Sequence, residues 1–193
     1  AKPAWGLNYM FREKFELSNL KDHVSEGTSV PKSVADYFTN MLDQSLDWKM
    51  AEEIAKDWDG EFCLKGIMSV DDAKRAVDIG ATAIMVSNHG GRVLDSQPAT
   101  IEVLPRIRQA VGPNLPILLD SGIRRGSDIF KAIALGANSV FIGRAVLYAL
   151  AVSGPMGVAH VLKILKDEFE LTMGLCGVKS VQEINYNHII MPR

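Results

Sequence analysis

The chain has 193 residues, 47% apolar and 23% charged, with 21 basic and 23 acidic side chains and a net charge of −2. That balance suits a soluble globular domain with its own core, and excludes a nucleic acid held by a basic surface. The longest apolar runs are too short for a bilayer, no secretory signal opens the chain, and Cys63 and Cys176 have no metal-ligand spacing around them. Two reduced thiols packing as small hydrophobes in a reducing compartment are expected.

Residues 1 to about 33 have no clean period and read as a long loop; Val34 to Leu46 reads as a short helical patch. Asp47 is placed to cap a helix carrying Trp48, Ala51, Ile54, Ala55 and Trp58 on one face, stopped by Asp59-Gly60. The chain then alternates. Phe62 to Ile67 is a strand, and Ser69, with Asp72 three residues on, opens a helix through Ile79 that Gly80 ends. Ala83 to Asn88 is a second strand, followed by a helix from about Thr100 to Val111 with Pro105 near its start. Pro116 to Asp120 is a third strand, and a helix runs from about Ser127 to Leu135. Ser139 to Ile142 is a fourth, and an amphipathic helix covers about Gly157 to Met173, with Val158, Val161, Leu162, Leu165 and Phe169 on one face. Ser180 and Glu183 mark a last capped turn.

Strands that are apolar throughout, separated by amphipathic helices, indicate a parallel sheet covered by helices. Residues 72–81 and 128–137 repeat one pattern, a helix ending in Gly-Ala before a strand. This repeat favours a (β/α) barrel over a doubly wound sheet. Four strands cannot close a barrel, so either a copy of the chain or another piece supplies the rest.

In such barrels the working groups sit where strands meet the loops after them. Those positions hold Lys65; Ser87, His89 and Arg92; Asp120-Ser121-Gly122-Ile123-Arg124; and Gly143-Arg144. In Ser87-Asn88-His89-Gly90-Gly91-Arg92 a neutral imidazole can take a proton, and the guanidinium can hold a carboxylate by two parallel hydrogen bonds. A lone Lys65 in an apolar strand calls for an anionic partner, although a strand-edge lysine reaching solvent would read alike. The last two segments pair arginines with helix starts, a general anion device, and together read as a phosphate cradle. His23, His160 and His188 read as surface or core residues, and Trp5, Trp48 and Trp58 as packing. Asp95 reads as a turn-stabilising carboxylate or a support for the Arg92 loop.

Leu64-Lys65-Gly66-Ile67, residues 87–95, residues 120–126, and Leu135-Gly136-Ala137 through Gly143-Arg144-Ala145 resemble the FMN-dependent α-hydroxy acid dehydrogenase/oxidase family. The resemblance runs from about Asp47 to the C-terminus. It implies a TIM (β/α)8 barrel of which residues 47–193 supply strands five to eight, with residues 1–46 the segment after strand four. The other half would carry the substrate-binding tyrosines and the Asp that pairs with the catalytic His.

By resemblance the cofactor is FMN and the substrate a small (S)-2-hydroxy acid, oxidised to the 2-oxo acid. His89 would take either the Cα proton or the hydroxyl proton, and Arg92 would clamp the carboxylate. Lys65 would stand near the flavin N1–C2=O edge, Ser87 would bond the flavin, and Asp120 would meet the ribityl hydroxyls. Ser121, Gly122 and Ile123 would line the cofactor, with Arg124, Gly143 and Arg144 on its phosphate. The implied partners are the N-terminal half of the barrel, further copies in a tetramer, and O₂, a quinone or a cytochrome as acceptor. The implied location is the cytoplasm, with membrane attachment in some relatives. Another FMN barrel oxidoreductase and a non-catalytic half barrel binding a phosphorylated ligand are the alternatives.

Overall fold

A helix, α1 (Pro3–Phe11), stands where the sequence reads as loop. Proline at a first helical position has the right φ and lacks a donor that would be unpaired there anyway. Trp5 and Tyr9, one turn apart, stack with ring centroids 5.4 Å apart. With apolar residues on every side and Gly6 inside it, α1 shows no amphipathic stripe to betray it. The computed structural model describes residues 3–11, 43 and 45–190. The helical patch expected from Val34 and His23 both fall outside these, while residues 45 and 46 are not helical. The chain divides into two compact units, Ala1–Leu46 and Asp47–Arg193.

The second unit opens with α2 (Trp48–Trp58), capped by Asp47 Oδ1 accepting the Met50 N–H at 2.9 Å and ended by Asp59 in a left-handed conformation. Four strands follow, each trailed by a helix: β1 (Cys63–Ile67), α3 (Val70–Asp78), β2 (Ala83–Val86), α4 (Thr100–Val111), β3 (Ile117–Leu119), α5 (Gly126–Ala134), β4 (Ser139–Val140) and α6 (Arg144–Leu175). They form one parallel sheet in the order β1-β2-β3-β4. Each strand sits beside its predecessor, as successive βα units of a barrel do. Ile84, Val86, Leu104, Ile107, Ile117 and Leu119 are fully buried, each such side chain stabilising the fold by about 1.5–3 kcal/mol. A second cluster joins Phe130 and Ala134 of α5 to Phe169 and Met173 of α6 and to Val178 and Ile184 of the tail.

The first strand ends at Ile67 as expected, but the other three expected strands are longer than the observed ones at their C-terminal ends, because Ser87, Asn88, Asp120, Phe141 and Ile142 build the loops there. The Ser69 cap of α3, accepting the Asp72 N–H at 3.0 Å, and the Ser180–Glu183 turn stand as expected. Pro105 lies inside α4.

The largest departure is α6, which begins at Arg144 rather than Gly157. It breaks at Ser153 and Gly154, ahead of Pro155, so the glycines and proline that suggested a loop are a kink between two helical stretches. Only Val158, Val161, Leu165 and Phe169 of the expected face are buried or half-buried; Leu162 is exposed. Its most apolar window, mean hydropathy 1.6, passes for a membrane span by length and composition, against the expectation from sequence; the kink divides it. Cys63 and Cys176 are free but exposed, not packed as expected. Neither belongs to the buried cluster between sheet and helices. Trp58, also expected to pack, is 66% exposed, its indole N–H donating to the Glu61 carbonyl at 3.1 Å.

Candidate active site

The four strands end side by side, and their loops surround a cavity of about 560 Å³, within the size range of small-ligand sites. Lys65, His89, Arg92, Asp120, Arg124 and Arg144 line it, four fixed cations against one carboxylate. Ser121 to Ile123 and Gly143 complete the expected set there, and Ser87 lies buried beside it.

Lys65 reaches this place through an irregularity in β1, where pairing skips between Lys65 and Ile67 and Gly66 takes φ +96°. Such a bulge re-aims a side chain near its kink. The Lys65 ammonium donates to Ser87 Oγ at 3.1 Å and lies 3.6 Å from Asp120 Oδ2. The pair is half-exposed, so its worth lies in placement; exposed pairs stabilise by about 0–1 kcal/mol. Ser87 Oγ also accepts the His89 N–H at 3.2 Å, which leaves the hydroxyl proton to be donated elsewhere.

The His89–Gly91 turn is held at every peptide N–H. Beyond the Ser87 bond, Gly90 N–H donates to Ser121 Oγ at 2.9 Å and Gly91 N–H to Asn88 Oδ1 at 3.1 Å. His89 has φ +56° and Ser121 φ +74°, left-handed conformations that cost a non-glycine residue about 1–3 kcal/mol each. The Arg144 guanidinium packs over Gly90, where an added Cβ would meet it at 3.1 Å, and donates to the Gly90 carbonyl at 2.8 Å. Among the described residues neither the Arg92 nor the Arg124 guanidinium, nor the His89 ring, has a protein partner.

The cradle differs from expectation in its donors. Asp128 Oδ2 accepts the Arg124 and Arg125 N–H groups at 2.9 Å each, and a Glu168 oxygen accepts the Gly126 N–H at 2.8 Å. The first turn of α5 is therefore capped by the protein's own carboxylates. The start of α6 has no side-chain cap, since Gly143 stands before it. An uncapped helix start beside two arginines suits a phosphate, and the Ser87 proton and Lys65 suit the acceptor edge of a planar ring. The residues present fit FMN.

Residues 1–191 match the family described as FMN-dependent dehydrogenase. The chain belongs to that family. It is 40% identical over 189 residues to an L-lactate dehydrogenase of Chromohalobacter salexigens, an alignment covering 97% of this chain and 48% of the relative. It is 47% identical over 156 residues to glycolate oxidase 3 of Arabidopsis thaliana, covering 81% and 42%. The crystal structure of the monotopic membrane protein (S)-mandelate dehydrogenase superposes with a TM-score of 0.86 at 36% identity, covering 96% of this chain and 48% of that one. The chain spans about half the length of these relatives. As a member of the FMN-dependent dehydrogenases it is part of a TIM barrel, and FMN is the family's cofactor.

Two contributors were not singled out from the sequence. Thr100, 1% exposed, donates from Oγ1 to the Asp120 carbonyl at 2.7 Å and fixes the end of β3. Asn88 braces the His89 turn from both ends, its Nδ2 donating to the Pro98 carbonyl at 3.2 Å. A threonine at a helix start and an asparagine in a turn carry no signal beyond their usual local roles. Of the residues set aside, Asp95 accepts the Ser96 N–H as a turn carboxylate, His160 is exposed, and His188 packs edge-on against Phe130.

Proposed function

We propose that this chain is the reacting half of an enzyme that oxidises an (S)-2-hydroxy acid to the 2-oxo acid with FMN. One observation carries the reading: His89 and Arg92, an imidazole and a guanidinium without a protein partner among the described residues, line the same cavity as the cationic cradle. Lactate, glycolate and mandelate, the substrates in the relatives' names, each carry a hydroxyl on the carbon beside a carboxylate.

Arg92 holds the substrate carboxylate through its fork and fixes which face of the reacting carbon is presented; such positioning lowers barriers by several kcal/mol. His89 takes the proton, from Cα or from the hydroxyl. FMN, when bound, accepts the two electrons that leave the substrate. Lys65 places a positive charge where negative charge grows, and Ser87 donates its free proton to the flavin. Asp120 faces the ribityl chain, lined by Ser121, Gly122 and Ile123, while Arg124, Gly143 and Arg144 hold the phosphate.

Residues 47–193 act as strands five to eight, residues 1–46 as the segment that follows strand four, and the N-terminal half of the barrel as the partner. Among the described residues β1 and β4 are unpaired edges and Phe141, Leu147 and Tyr148 are exposed; both features support that partner, since a closed barrel covers them. The location proposed is the cytoplasm, and the monotopic relative supports a seat there at a membrane surface. The test is colour. The chain joined with its complementary half should be yellow and bleach anaerobically with lactate, glycolate or mandelate. Bound flavin that none of these reduces would refute the reading, and a colourless assembly would favour a non-catalytic half barrel.

A further inference from the structure

The hydroxyl of Ser121 bridges two parts of the site. It accepts the Gly90 N–H at 2.9 Å and donates to Asp120 Oδ1 at 2.6 Å, while Asp120 Oδ2 lies 3.6 Å from Lys65 Nζ. A serine has one hydroxyl proton, so this one is committed inside the protein and is not offered to a ligand. Resemblance alone puts Ser121 among residues lining the cofactor; its bonding gives it a second task.

We propose that Ser121 is a positioning residue that anchors the His89 turn to the Asp120–Lys65 pair and so sets where the imidazole stands. The inference rests on the reading of His89 as the base. Ser87 and Asn88, which hold the neighbouring N–H groups, belong to the same loop as His89; Ser121 reaches it from the end of β3. Both segments it joins are left-handed, with φ +56°, +70° and +68° at His89, Gly90 and Gly91, and +74° and +85° at Ser121 and Gly122. Conformations of this kind persist where surrounding contacts over-determine them. Thr100 Oγ1 donates to the carbonyls of Asp120 and Ser121 at 2.7 and 3.2 Å, so the anchor itself is fixed. Arg144 grips the Gly90 carbonyl from the other side, but its guanidinium is also the group a phosphate would draw away.

The test compares Ser121→Ala and Ser121→Gly with the parent in the flavin-loaded protein with both barrel halves present. Alanine keeps the strained φ and loses the hydroxyl; glycine loses the hydroxyl and relaxes the strain. Both variants should keep FMN and show little change in KM, because Arg92 lies beyond the bond that Asn88 makes. Both should reduce flavin about ten- to hundredfold more slowly, the scale of a misplaced catalytic group. In both, the Gly90 amide should exchange with deuterium faster than in the parent. Parent rates with parent exchange would overturn the proposal, as would a slow alanine variant beside a fully active glycine one, which would leave only backbone conformation. His89→Gln is the control for the underlying reading. It should stop reduction while Gly90 stays protected; normal reduction there would remove the base, yet fast Gly90 exchange in the Ser121 variants would still support the anchor.

Discussion

Two stretches of this chain share a pattern and part ways at their strand ends. The turns between α3 and β2 and between α5 and β4 make the same bonds: Gly80 N–H to the Val77 carbonyl and Ala81 N–H to that of Ala76, Gly136 N–H to Ile133 and Ala137 N–H to Ala132, all at 3.0 Å. Above them, β2 runs into a tightly bonded loop with His89 at its tip, whereas β4 leads through Gly143 into a helix with no cap. In this architecture one end of the barrel holds the fold together and the other meets the ligand, and it is the second that diverges here.

That contrast can be broken first at the divergent end. His89→Gln should abolish flavin reduction by a 2-hydroxy acid without shifting the melting temperature, and Arg92→Lys should raise KM by losing the forked contact. Stopped-flow reduction beside thermal unfolding separates the two effects. A His89 variant that reduced normally would place the chemistry elsewhere.

The repeated ends differ in one respect. Arg108 donates to the carbonyls of Gly136, Gly112 and Leu115 and to Asn138 Oδ1, whereas nothing lies within 4 Å of a Cβ built at Gly80. Burial pushes the Arg108 pKa down, but an arginine stays charged at any pH the fold survives. Arg108→Met should therefore cost about 3 kcal/mol, read by denaturant unfolding, through the acceptors it leaves unpaired. Gly136→Ala should cost more than Gly80→Ala. Both sit at positive φ, worth about 1–2 kcal/mol each, but a Cβ at Gly136 would also meet Arg108 Cγ at 2.7 Å. Equal losses would make the turns interchangeable.

The smallest effect concerns Cys63. Although Cys63 is exposed, partial desolvation by the protein around it pushes its thiol up, so folding favours the protonated form; that contribution is intact at neutral pH and fades as the pH climbs past the ordinary thiol range. Alkylation at about pH 8 should be slower in the native protein than in the unfolded chain, followed by mass spectrometry.

Much of this was legible in the residues. Helical period, Ser69, Asp47 and the Gly-Ala turns place α2 to α5, because local chemistry there agrees with the tertiary result. The site positions could be read because barrel strands deliver polar groups at one end. What could not be read depends on non-local contacts. Helix α1 has no polar face, and the first stretch of α6 hides behind the Gly154-Pro155 break. Glu168 closes the start of α5 on the Gly126 N–H from far along the chain, a bond that only folding creates.

Gly126 is the residue where that closure is tightest. A Cβ there would stand 2.1 Å from the Phe169 backbone nitrogen, so α5 and α6 touch main chain to main chain. A single missing methyl thus works as a ruler, setting how near the first turn of α5 lies to the stretch of α6 beyond its kink.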